Sequence, residues 1–389
     1  MALPLSYNWR NLWVRRLSTS LTLVVVTVVV LVLAVLLSFS EGIRASLAST
    51  GTVENIIVLK PGAMAESTSV MMPNELAPIT GAPNLAVGTS GEPLISRELS
   101  VQASIPRAAN EGMANIAVRG VDPIAFEVHP EVRVTAGRCF EPTQLEVMVG
   151  KAAAQRYVGL AIGDSVRLGR DNNREYRVVG TFEARGGAFE SEIWGPRTSL
   201  LDSYRYSIAS SVTLRLADAA RAAETLQYLN GPSVRLNAKR EIAYYNELTK
   251  QASDISFLAT VLVGIMAIGA VFAVANTMYA AVDGRRREIA MLRTIGFSRR
   301  TIILAFLIES VLVCLCGCVA GLGLSLLLNG VKQDFLSAVT WTVLAYELRV
   351  TPQILGLGLG LSLVVGVAGA LFPAVRAARI GIIEALRKA

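Results

Sequence analysis

Hydrophobic residues are concentrated in four long blocks, separated by segments of ordinary polarity. The blocks run from Leu21 to Ser40, Ile255 to Val282, Thr301 to Val331 and Val350 to Val375, and Glu309 is the one charged residue inside them. An α-helix rises about 1.5 Å per residue, so each block can cross the roughly 30 Å hydrocarbon core of a bilayer. The pattern predicts transmembrane helices at 19–40, 253–282, 301–331 and 350–375.

The segment 41–252, between the first two blocks, is large enough for a folded domain. Alternating and β-branched residues bounded by glycine predict strands at 116–123, 145–149, 165–168, 174–181 and 211–216, and helices are predicted at 151–157 and 217–229. Residues 61–118 are rich in Gly, Pro, Ser, Met and Asn and are expected to form loops with short strands. The predicted fold class is a membrane protein with four transmembrane α-helices, in a one-plus-three arrangement, and a large mixed α+β extracytoplasmic domain between helices 1 and 2.

The distribution of charged residues along the chain predicts how the chain is oriented in the membrane. Only 17% of the 389 residues are charged and 52% are hydrophobic, with a net charge of +7. The excess basic residues lie in 1–18, 283–300 and 376–389, whereas 41–252 is nearly neutral. This distribution argues against a nucleic-acid-binding surface. Because Lys and Arg are retained on the cytoplasmic side, both termini and 283–300 are predicted to be cytoplasmic and the loop 332–349 to lie outside.

The N-terminal segment 1–18 is predicted to form a cytoplasmic interfacial helix. Trp9, Leu12, Trp13 and Leu17 fall on one helical face with arginines beside it, an arrangement typical of a helix lying on the inner leaflet. The apolar run that follows is longer than the 7–15 residues of a signal peptide, which favours an uncleaved anchor. The chain is therefore predicted to be a membrane protein that crosses the bilayer several times.

Candidate chemistry is sparse in this sequence. The single histidine, His129, is interpreted as a surface or packing residue, and Cys139 has no cysteine partner in 41–252. Cys314, Cys316 and Cys318 alternate along the third membrane helix and are interpreted as packing residues, without a metal site. No G-x-x-x-x-G-K-[ST] motif is present, so the chain binds no nucleotide by the P-loop route and any energy it uses must come from a partner. We predict no catalytic residue and no cofactor in this chain.

The segment 283–300 carries the most specific pattern. It predicts a short helix with an apolar stripe between arginines, ended by glycine; the stripe is formed by Ile289, Leu292 and Ile295, the arginines are Arg286, Arg287 and Arg293, and the glycine is Gly296. Two interpretations are open: an interfacial anchor among anionic lipids, or a docking element for a cytoplasmic protein.

The membrane helices contain further candidate residues. Glu309 is expected near the inner interface and needs a polar partner, which a basic residue of 283–300 or of the tail 376–389 could provide. Glu309 would either only stabilise a contact between helices or take part in transmitting motion between them. Two small-x-x-x-small pairs, Gly317 with Gly321 and Gly356 with Gly360, predict close helix packing.

These motifs resemble those of the FtsX/MacB-type ABC transporter permeases, the type VII ABC superfamily. Glu288 to Ser298 resembles the coupling segment, and Phe372 to Arg379 followed by Glu384 to Arg387 resembles the C-terminal signature. Partial matches in the outer domain are Gly120 to Pro123, Gly137-Arg138 and Val178 to Gly180. The resemblance implies a stand-alone permease subunit without a fused ATPase. It also implies that contacts with the ATPase are made by Arg287, Glu288, Ile289, Leu292, Arg293, Ile295 and Gly296.

The implied function is mechanotransmission: motion of a separate cytoplasmic P-loop ATPase would reach the outer domain and drive export or extraction of a periplasmic or membrane-associated substrate. The implied working unit contains a second permease, identical or related, and in some members a periplasmic adaptor and an outer-membrane duct. An alternative is an FtsX-like signalling subunit that activates an extracytoplasmic partner such as a cell-wall hydrolase. A passive membrane anchor is a third interpretation. The sequence indicates no substrate.

Overall fold

The computed structural model describes residues 16–107, 112–206, 209–336 and 343–380. The predicted segment 1–18 and the end of the tail, 381–389, lie almost entirely outside this part. The helices are α1 (Arg16–Ala48), α2 (Pro73–Leu76), α3 (Ala125–Val128), α4 (Lys151–Ala154), α5 (Arg197–Tyr204), α6 (Ala222–Asn230), α7 (Glu241–Gly284), α8 (Arg286–Thr294), α9 (Arg299–Leu327) and α10 (Pro352–Ala378). The strands are β1 (Asn55–Leu59), β2 (Ile95–Pro106), β3 (Met113–Val121), β4 (Arg133–Gly137), β5 (Glu146–Gly150), β6 (Ser165–Leu168), β7 (Arg174–Glu183), β8 (Glu192–Pro196), β9 (Ser211–Arg215), β10 (Asn237–Arg240), β11 (Lys332–Leu336) and β12 (Val343–Glu347).

The chain divides into two compact units. The membrane unit comprises residues up to Glu41, Ser253–Val331 and the segment from Leu348 onward, and the sheet domain comprises Gly42–Ala252 and Lys332–Glu347. In the described residues, four helical segments are long and apolar enough to cross a membrane: Thr19–Ala48, Phe257–Gly284, Arg299–Leu327 and Pro352–Ala378. The predicted one-plus-three arrangement of membrane helices around a mixed domain is confirmed.

Two helices extend well beyond the apolar blocks that predicted them. Helix α1 continues to Ala48, past the predicted end at residue 40, and α7 begins at Glu241, before the predicted start at 253. Hydropathy marks only the part of a helix that suits lipid, whereas hydrogen bonding continues through polar residues with adequate helix propensity. The other two are bounded by side-chain caps: Ser298 accepts from the backbone N–H of Thr301 before α9, and Thr351 accepts from that of Ile354 before α10.

The sheet domain contains one large mixed sheet among the described residues, in the order β10-β1-β9-β2-β3-β8-β5-β7-β4, with β6 also paired to β7. The β3–β8 and β5–β7 pairs are parallel and the other pairs are antiparallel. Two apolar clusters support it. One surrounds Ile116, Val149 and Ile193, and the other surrounds Ile56, Val212 and Leu214.

The prediction for 61–118 was wrong in its second half. This region contains β2, which is 12 residues long, and most of β3, and the two strands pair over eight residues from Leu99–Gly120 to Pro106–Met113. The alternation of polar and apolar residues in β2 is hidden because two of its buried side chains are polar, Ser96 and Glu98. The segment 332–349, expected as a loop, contains the antiparallel hairpin β11–β12. Strand β6 has the predicted bounds.

Candidate functional site

The segment between α7 and α9 forms the short amphipathic helix that the sequence predicted. Arg285 occupies the N-cap position of α8, and Ile295 follows its last turn. Gly296 then adopts a φ of +104°, a conformation that glycine reaches without steric penalty. This turn leads directly to the capping residue Ser298 and into α9. Two membrane helices therefore hold α8 at both of its ends.

Two faces of α8 differ sharply in exposure. Ile289 and Ala290 are buried in the membrane unit, with 3% and 1% of their surface exposed. Met291 and Ile295 are 56% and 75% exposed. Successive residues of an α-helix are separated by about 100° of rotation, which places four exposed residues within one quarter to one third of the circumference. This exposed face of α8 consists of Arg287, Glu288, Met291 and Ile295.

The coupling residues predicted from the sequence are therefore divided between the two faces. Ile289 belongs to the apolar core of the membrane helices, so the expectation that it contacts an ATPase is corrected. Leu292 is half-buried at the boundary. Arg293 donates from Nη1 to the backbone carbonyl of Ala378, at 2.9 Å, and so joins α8 to the last turn of α10. The hydrophobic pattern could not show this, because one apolar stripe can face either the chain itself or a partner.

Glu309 forms a buried ion pair with Arg285. The Nη1 and Nη2 atoms of Arg285 donate to Oε2 and Oε1 of Glu309, at 2.9 and 3.3 Å, and the two residues are 8% and 4% exposed. This bidentate geometry is the strongest form of an ion pair between these side chains. The carboxylate has the basic partner that its position required, and that partner lies at the α7–α8 junction. Arg285 was absent from the residues singled out in the sequence because its position outside the apolar stripe gave no signal.

The glycines predicted to mediate helix packing have different surroundings. A Cβ atom on Gly317 would lie 3.0 Å from Cβ of Val26, and one on Gly321 would lie 2.7 Å from the carbonyl oxygen of Thr27, so both glycines contact α1. The hydroxyl of Thr27 also donates to the carbonyl of Gly317, at 3.1 Å.

The second glycine pair was the wrong one. A Cβ on Gly356 or Gly360 would meet no atom of the described residues within 4 Å, and both glycines are exposed. The packed face of α10 is a series of small residues four apart: Gly358, Ser362, Gly366, Ala370 and Ala374, all buried. Both sets have the same i, i+4 spacing and are offset by two residues, which is about 200° of rotation. The series that begins at Gly358 is the longer of the two, and this greater length was the sequence signal for the packed face.

Replacing Gly321 by Val tests this packing. We expect Gly321→Val to destabilise the membrane unit by about 1–3 kcal/mol, because the added atoms would overlap the backbone of α1. Gly360→Val is the matched control and should change stability little, since its surroundings are open. Thermal unfolding can be followed with a thiol-reactive dye that detects exposure of the buried Cys314 and Cys318. Equal melting temperatures of the two variants would contradict this assignment.

The sheet domain contains a buried network of charged residues around Arg119. Its guanidinium donates to Glu66, Glu98 and Glu192 through five hydrogen bonds of 2.5–3.1 Å, which use all five of its N–H groups. Strand β3 lies between β2 and β8, so two of the carboxylates reach Arg119 from neighbouring strands. The guanidinium also lies 5.0 Å from the centroid of the Phe189 ring. Each buried charge in this part of the network is thus directly paired.

His129 extends the network toward α7. Its Nε2 lies 2.9 Å from Oε1 of Glu98. Burial alone would raise the pKa of Glu98, but His129 and Arg119 outweigh this effect and lower it to about 2. Burial would lower the pKa of His129, but Glu98 and the nearby Glu131 and Glu241 raise it well above its ordinary value. His129 is therefore an imidazolium in an ion-paired cluster, a more specific role than the predicted packing residue.

None of these charged residues was identified from the sequence as part of a network. The available signal was a charged residue inside a strand, as Glu98 is in β2 and Arg119 in β3. Among the described residues, no group of three or more His, Cys, Asp or Glu side chains could hold a metal ion. A cavity of about 80 Å³ adjoins Arg119, Tyr244 and Phe335. It is much smaller than the roughly 300–1,000 Å³ of typical ligand pockets and does not by itself define a substrate site.

Two glycines named in the outer-domain resemblance allow a close contact between strands. A Cβ on Gly137 would lie 2.2 Å from the carbonyl oxygen of Val179, and a Cβ on Gly180 would lie 2.3 Å from that of Arg138. Any larger residue would push β4 and β7 apart. These glycines therefore have a structural role at the edge of the sheet.

Four apolar helices, a mixed sheet domain that follows the first of them, and a short helix held between the second and third define the class: a membrane protein with four candidate spans and one large inserted domain. The family models agree with this architecture. A model described as MacB-like periplasmic core domain matches residues 19–231, more than half of the chain, and one described as FtsX-like permease C-terminal matches residues 260–382. The chain belongs to the MacB/FtsX-type ABC transporter permeases, as its motifs predicted.

Several relatives carry names from macrolide export. The Macrolide export ATP-binding/permease protein MacB 1/2 of Paracoccus denitrificans is 27% identical over 313 residues, covering 76% of this chain and 45% of that protein. The MacB protein of Escherichia coli K12 is 27% identical over 414 residues, covering 99% of this chain and 60% of that protein. The chain thus spans about half the length of the curated relatives it matches.

Among solved structures, the extracellular domain of the noncanonic ABC-type transporter YknZ from Gram-positive bacteria aligns with 45% of this chain and 92% of that domain. The identity is 17% and the TM-score is 0.33. The family assignment rests on the two family models.

Proposed function

We propose that this chain is a permease subunit that transmits the motion of an ABC-type ATPase to its sheet domain. The exposed face of α8 is the observation that supports this function best. It presents two exposed apolar side chains, Met291 and Ile295, beside the charged Arg287 and Glu288. Apolar contacts flanked by charges are typical of a protein docking surface. A lipid-facing anchor would turn its apolar face toward the membrane. In α8 the face that packs against the membrane helices carries Ile289 and Ala290, and Met291 and Ile295 lie on a different, exposed face.

The junction around Arg285 supports a mechanical role. The Arg285–Glu309 pair ties the start of α8 to α9, and the Arg293–Ala378 hydrogen bond ties its last turn to α10. A displacement of α8 by a bound ATPase would therefore act on three membrane helices at once. Gly317 and Gly321 extend this contact from α9 to α1. We propose Glu309 and these glycines as transmission residues and assign Gly356 and Gly360 no such role.

In this proposal the chain performs no bond chemistry, and ATP and Mg²⁺ are bound by the ATPase. We further propose that the chain lies in the bacterial inner membrane, with both termini and α8 in the cytoplasm and the sheet domain outside, as its basic segments predict. The working assembly is expected to contain this ATPase and a second permease, identical or related. The relatives named for macrolide export suggest an export or extraction function on the outer side of the inner membrane. A periplasmic adaptor and an outer-membrane duct would complete such a system.

The docking proposal predicts a strong effect of a charge on the exposed face of α8. We expect Met291→Asp to abolish co-purification of the ATPase, because a carboxylate would be desolvated at the centre of the interface. Met113→Asp is the matched control: Met113 is 60% exposed, close to the 56% of Met291, but it lies in the sheet domain. Both variants should fold normally because the side chains are exposed. The measurement is a mild-detergent pull-down from the native membrane with stoichiometry by mass spectrometry.

The same pull-down separates the alternatives. An equimolar P-loop ATPase that is lost only with Met291→Asp supports the proposal, and the presence of one or two permease species shows a homodimer or heterodimer. A cell-wall hydrolase as partner, together with ATP turnover that hydrophobic compounds do not stimulate, would favour the signalling function. Wild-type chain recovered intact and without any ATPase would overturn the docking assignment and leave a membrane anchor.

A further inference from the structure

The part of the buried network that adjoins α7 contains three titratable groups, His129, Glu131 and Glu241. The Nδ1 atom of His129 lies 3.4 Å from Oε1 of Glu131 and 3.6 Å from Oε1 of Glu241. All three residues are at most 4% exposed. Glu241 is the first residue of α7, the helix that later forms the span Phe257–Gly284. The cluster therefore joins the sheet to the first turn of this long helix.

Several polar atoms of this cluster lack a hydrogen-bond partner. In the part of the chain that the structure describes, Nδ1 of His129, both carboxylate oxygens of Glu131 and Oδ1 of Asn55 are buried without one. Glu241 accepts one bond at Oε2, from the backbone N–H of Thr52 at 3.0 Å. A buried carboxylate with no hydrogen bond is strongly disfavoured when it is ionised. Glu131 therefore requires a cation close by, and the ring of His129 at 3.4 Å is in the position to supply it.

The charge balance of the whole network leads to the same requirement. Five carboxylates, those of Glu66, Glu98, Glu131, Glu192 and Glu241, face two cations, Arg119 and His129, so full ionisation would leave a net charge of 2 − 5 = −3. Arg119 has no N–H left for Glu131 or Glu241, because its five bonds go to the other three carboxylates. His129 is the cation that faces both remaining carboxylates, and it has a single Nδ1 proton to offer them.

The other elements packed around the cluster do not supply the missing charge. Phe189 and Trp194 present their rings to His129, at centroid distances of 5.2 and 5.9 Å. Tyr245 on α7 is buried, and burial raises the pKa of its phenol, which stays neutral. Arg215 on β9 directs Nη1 to the carbonyl oxygen of Val128, at 3.2 Å.

We propose that Glu241 holds one exchangeable proton beside the protonated His129 and the carboxylate of Glu131, so that the cluster is a pH-sensitive latch between the sheet and the first turn of α7. With the proton bound, one neutral and one ionised carboxyl group face the imidazolium. When the proton is released, two carboxylates repel each other in a buried site. The repulsion is relieved by moving Glu241, and with it the first turn of α7, toward water.

The pH range follows from the neighbouring groups. Burial raises the pKa of Glu241 from 4.5 to about 7, against the opposing effect of His129. Its contribution to stability is fully present below about pH 4.5 and is lost as the pH rises through about 7. The low pKa of Glu98 acts in the opposite direction: its contribution is present above about pH 4.5 and is lost as the pH falls toward 2. The latch should therefore be closed at mildly acidic pH and open progressively between about pH 6 and 8.

The single histidine permits a direct test in the intact protein. The full chain is prepared in nanodiscs with an affinity tag that contains no histidine, and only His129 gives a signal after ¹³C,¹⁵N-histidine labelling. We expect ring ¹⁵N shifts of an imidazolium from pH 5 to 8, with a superimposed step centred near pH 7 as the proton leaves Glu241. Glu241→Gln should remove the step, because it replaces the titrating carboxyl group by a neutral amide of the same shape.

Two further variants complete the experiment. Glu131→Gln should also remove or displace the step. This variant provides the test if Glu241→Gln fails to fold. Glu224→Gln is the control: Glu224 is an exposed carboxylate paired with Arg221, and the step should remain unchanged. A wild-type resonance without a step, or a step that persists in both cluster variants, would overturn the proposal. A change of His129 itself to neutral imidazole near pH 7, or displacement of the step by adding Na⁺ or Mg²⁺ at constant pH, would also overturn it.

Discussion

Glu309→Gln is expected to destabilise the membrane unit by about 3–5 kcal/mol, because it leaves the guanidinium of Arg285 buried without its counter-charge. The pair is bidentate and both partners are buried, so little water is available to replace the lost carboxylate. The loss should appear as a lower temperature of Cys314 and Cys318 exposure in the dye assay. We also expect transport to lose its coupling to ATP hydrolysis in the variant that remains folded, since α8 would no longer be tied to α9.

A neighbouring ion pair provides the control. Arg286 pairs with Asp283 at 2.7 Å, but both side chains are about half exposed, so Arg286→Gln should change the melting temperature little. The double variant Arg285→Met/Glu309→Leu removes both buried charges and should recover stability, because well-packed apolar residues often replace a buried pair without loss. Stability that recovers while coupling stays lost would separate the mechanical role from the structural one. A wild-type melting temperature for Glu309→Gln would show that the pair is not buried in the membrane-embedded protein.

Arg119→Met should have a still larger effect on the sheet domain. Three carboxylates, Glu66, Glu98 and Glu192, would then face one another in the core without their common cation. Breaking one buried pair costs about 3–5 kcal/mol, and a domain has only about 5–15 kcal/mol of net stability. We therefore expect the domain to become protease-sensitive at pH 7.5 in the full-length chain. Partial protection should return at lower pH, because burial raises the pKa of Glu192 and its protonation relieves part of the repulsion.

Limited proteolysis of the chain in nanodiscs measures this effect. Arg221→Met is the control, because Arg221 and Glu224 form an exposed pair on the surface of the same domain. Arg119→Lys keeps the charge but replaces the five N–H donors of Arg119 by three, so it should be intermediate. Digestion of Arg119→Met at the wild-type rate at pH 7.5 would show that the network does not hold the domain together.

The elements that could be predicted from the sequence are those in which one periodicity dominates. Four apolar runs exceed any core helix in length, and the stripe of α8 repeats every three to four residues. Strand β2 was missed because its inward side chains include Glu98, and a buried charge looks like a surface residue until its partners are known. Its partners are Arg119 on β3 and His129, which follows α3, and no local pattern connects these residues.

The sequence predicted where the candidate site lies, but it did not predict which side chains contact one another there. The pattern of 283–300 identified the right helix, yet it did not distinguish the buried Ile289 from the exposed Ile295. Glu309 was predicted to need a cation, but several arginines were available and only the structure selects Arg285. Likewise, Gly356 and Gly358 both begin small-residue patterns of the same spacing, and the prediction overlooked that the series from Gly358 continues for longer.

The hairpin β11–β12 has a consequence for how the protein is made. Residues 332–347 belong to the sheet domain, and Val343 joins the same apolar core as Tyr157 and Leu160. Residues 253–331 must be translated between them and the rest of that domain, which takes roughly 4–16 s at about 5–20 residues per second. The nascent sheet domain therefore remains incomplete while two more membrane helices are synthesised and inserted. A soluble fragment that ends at residue 252 would lack the hairpin and would therefore correspond to this incomplete folding intermediate.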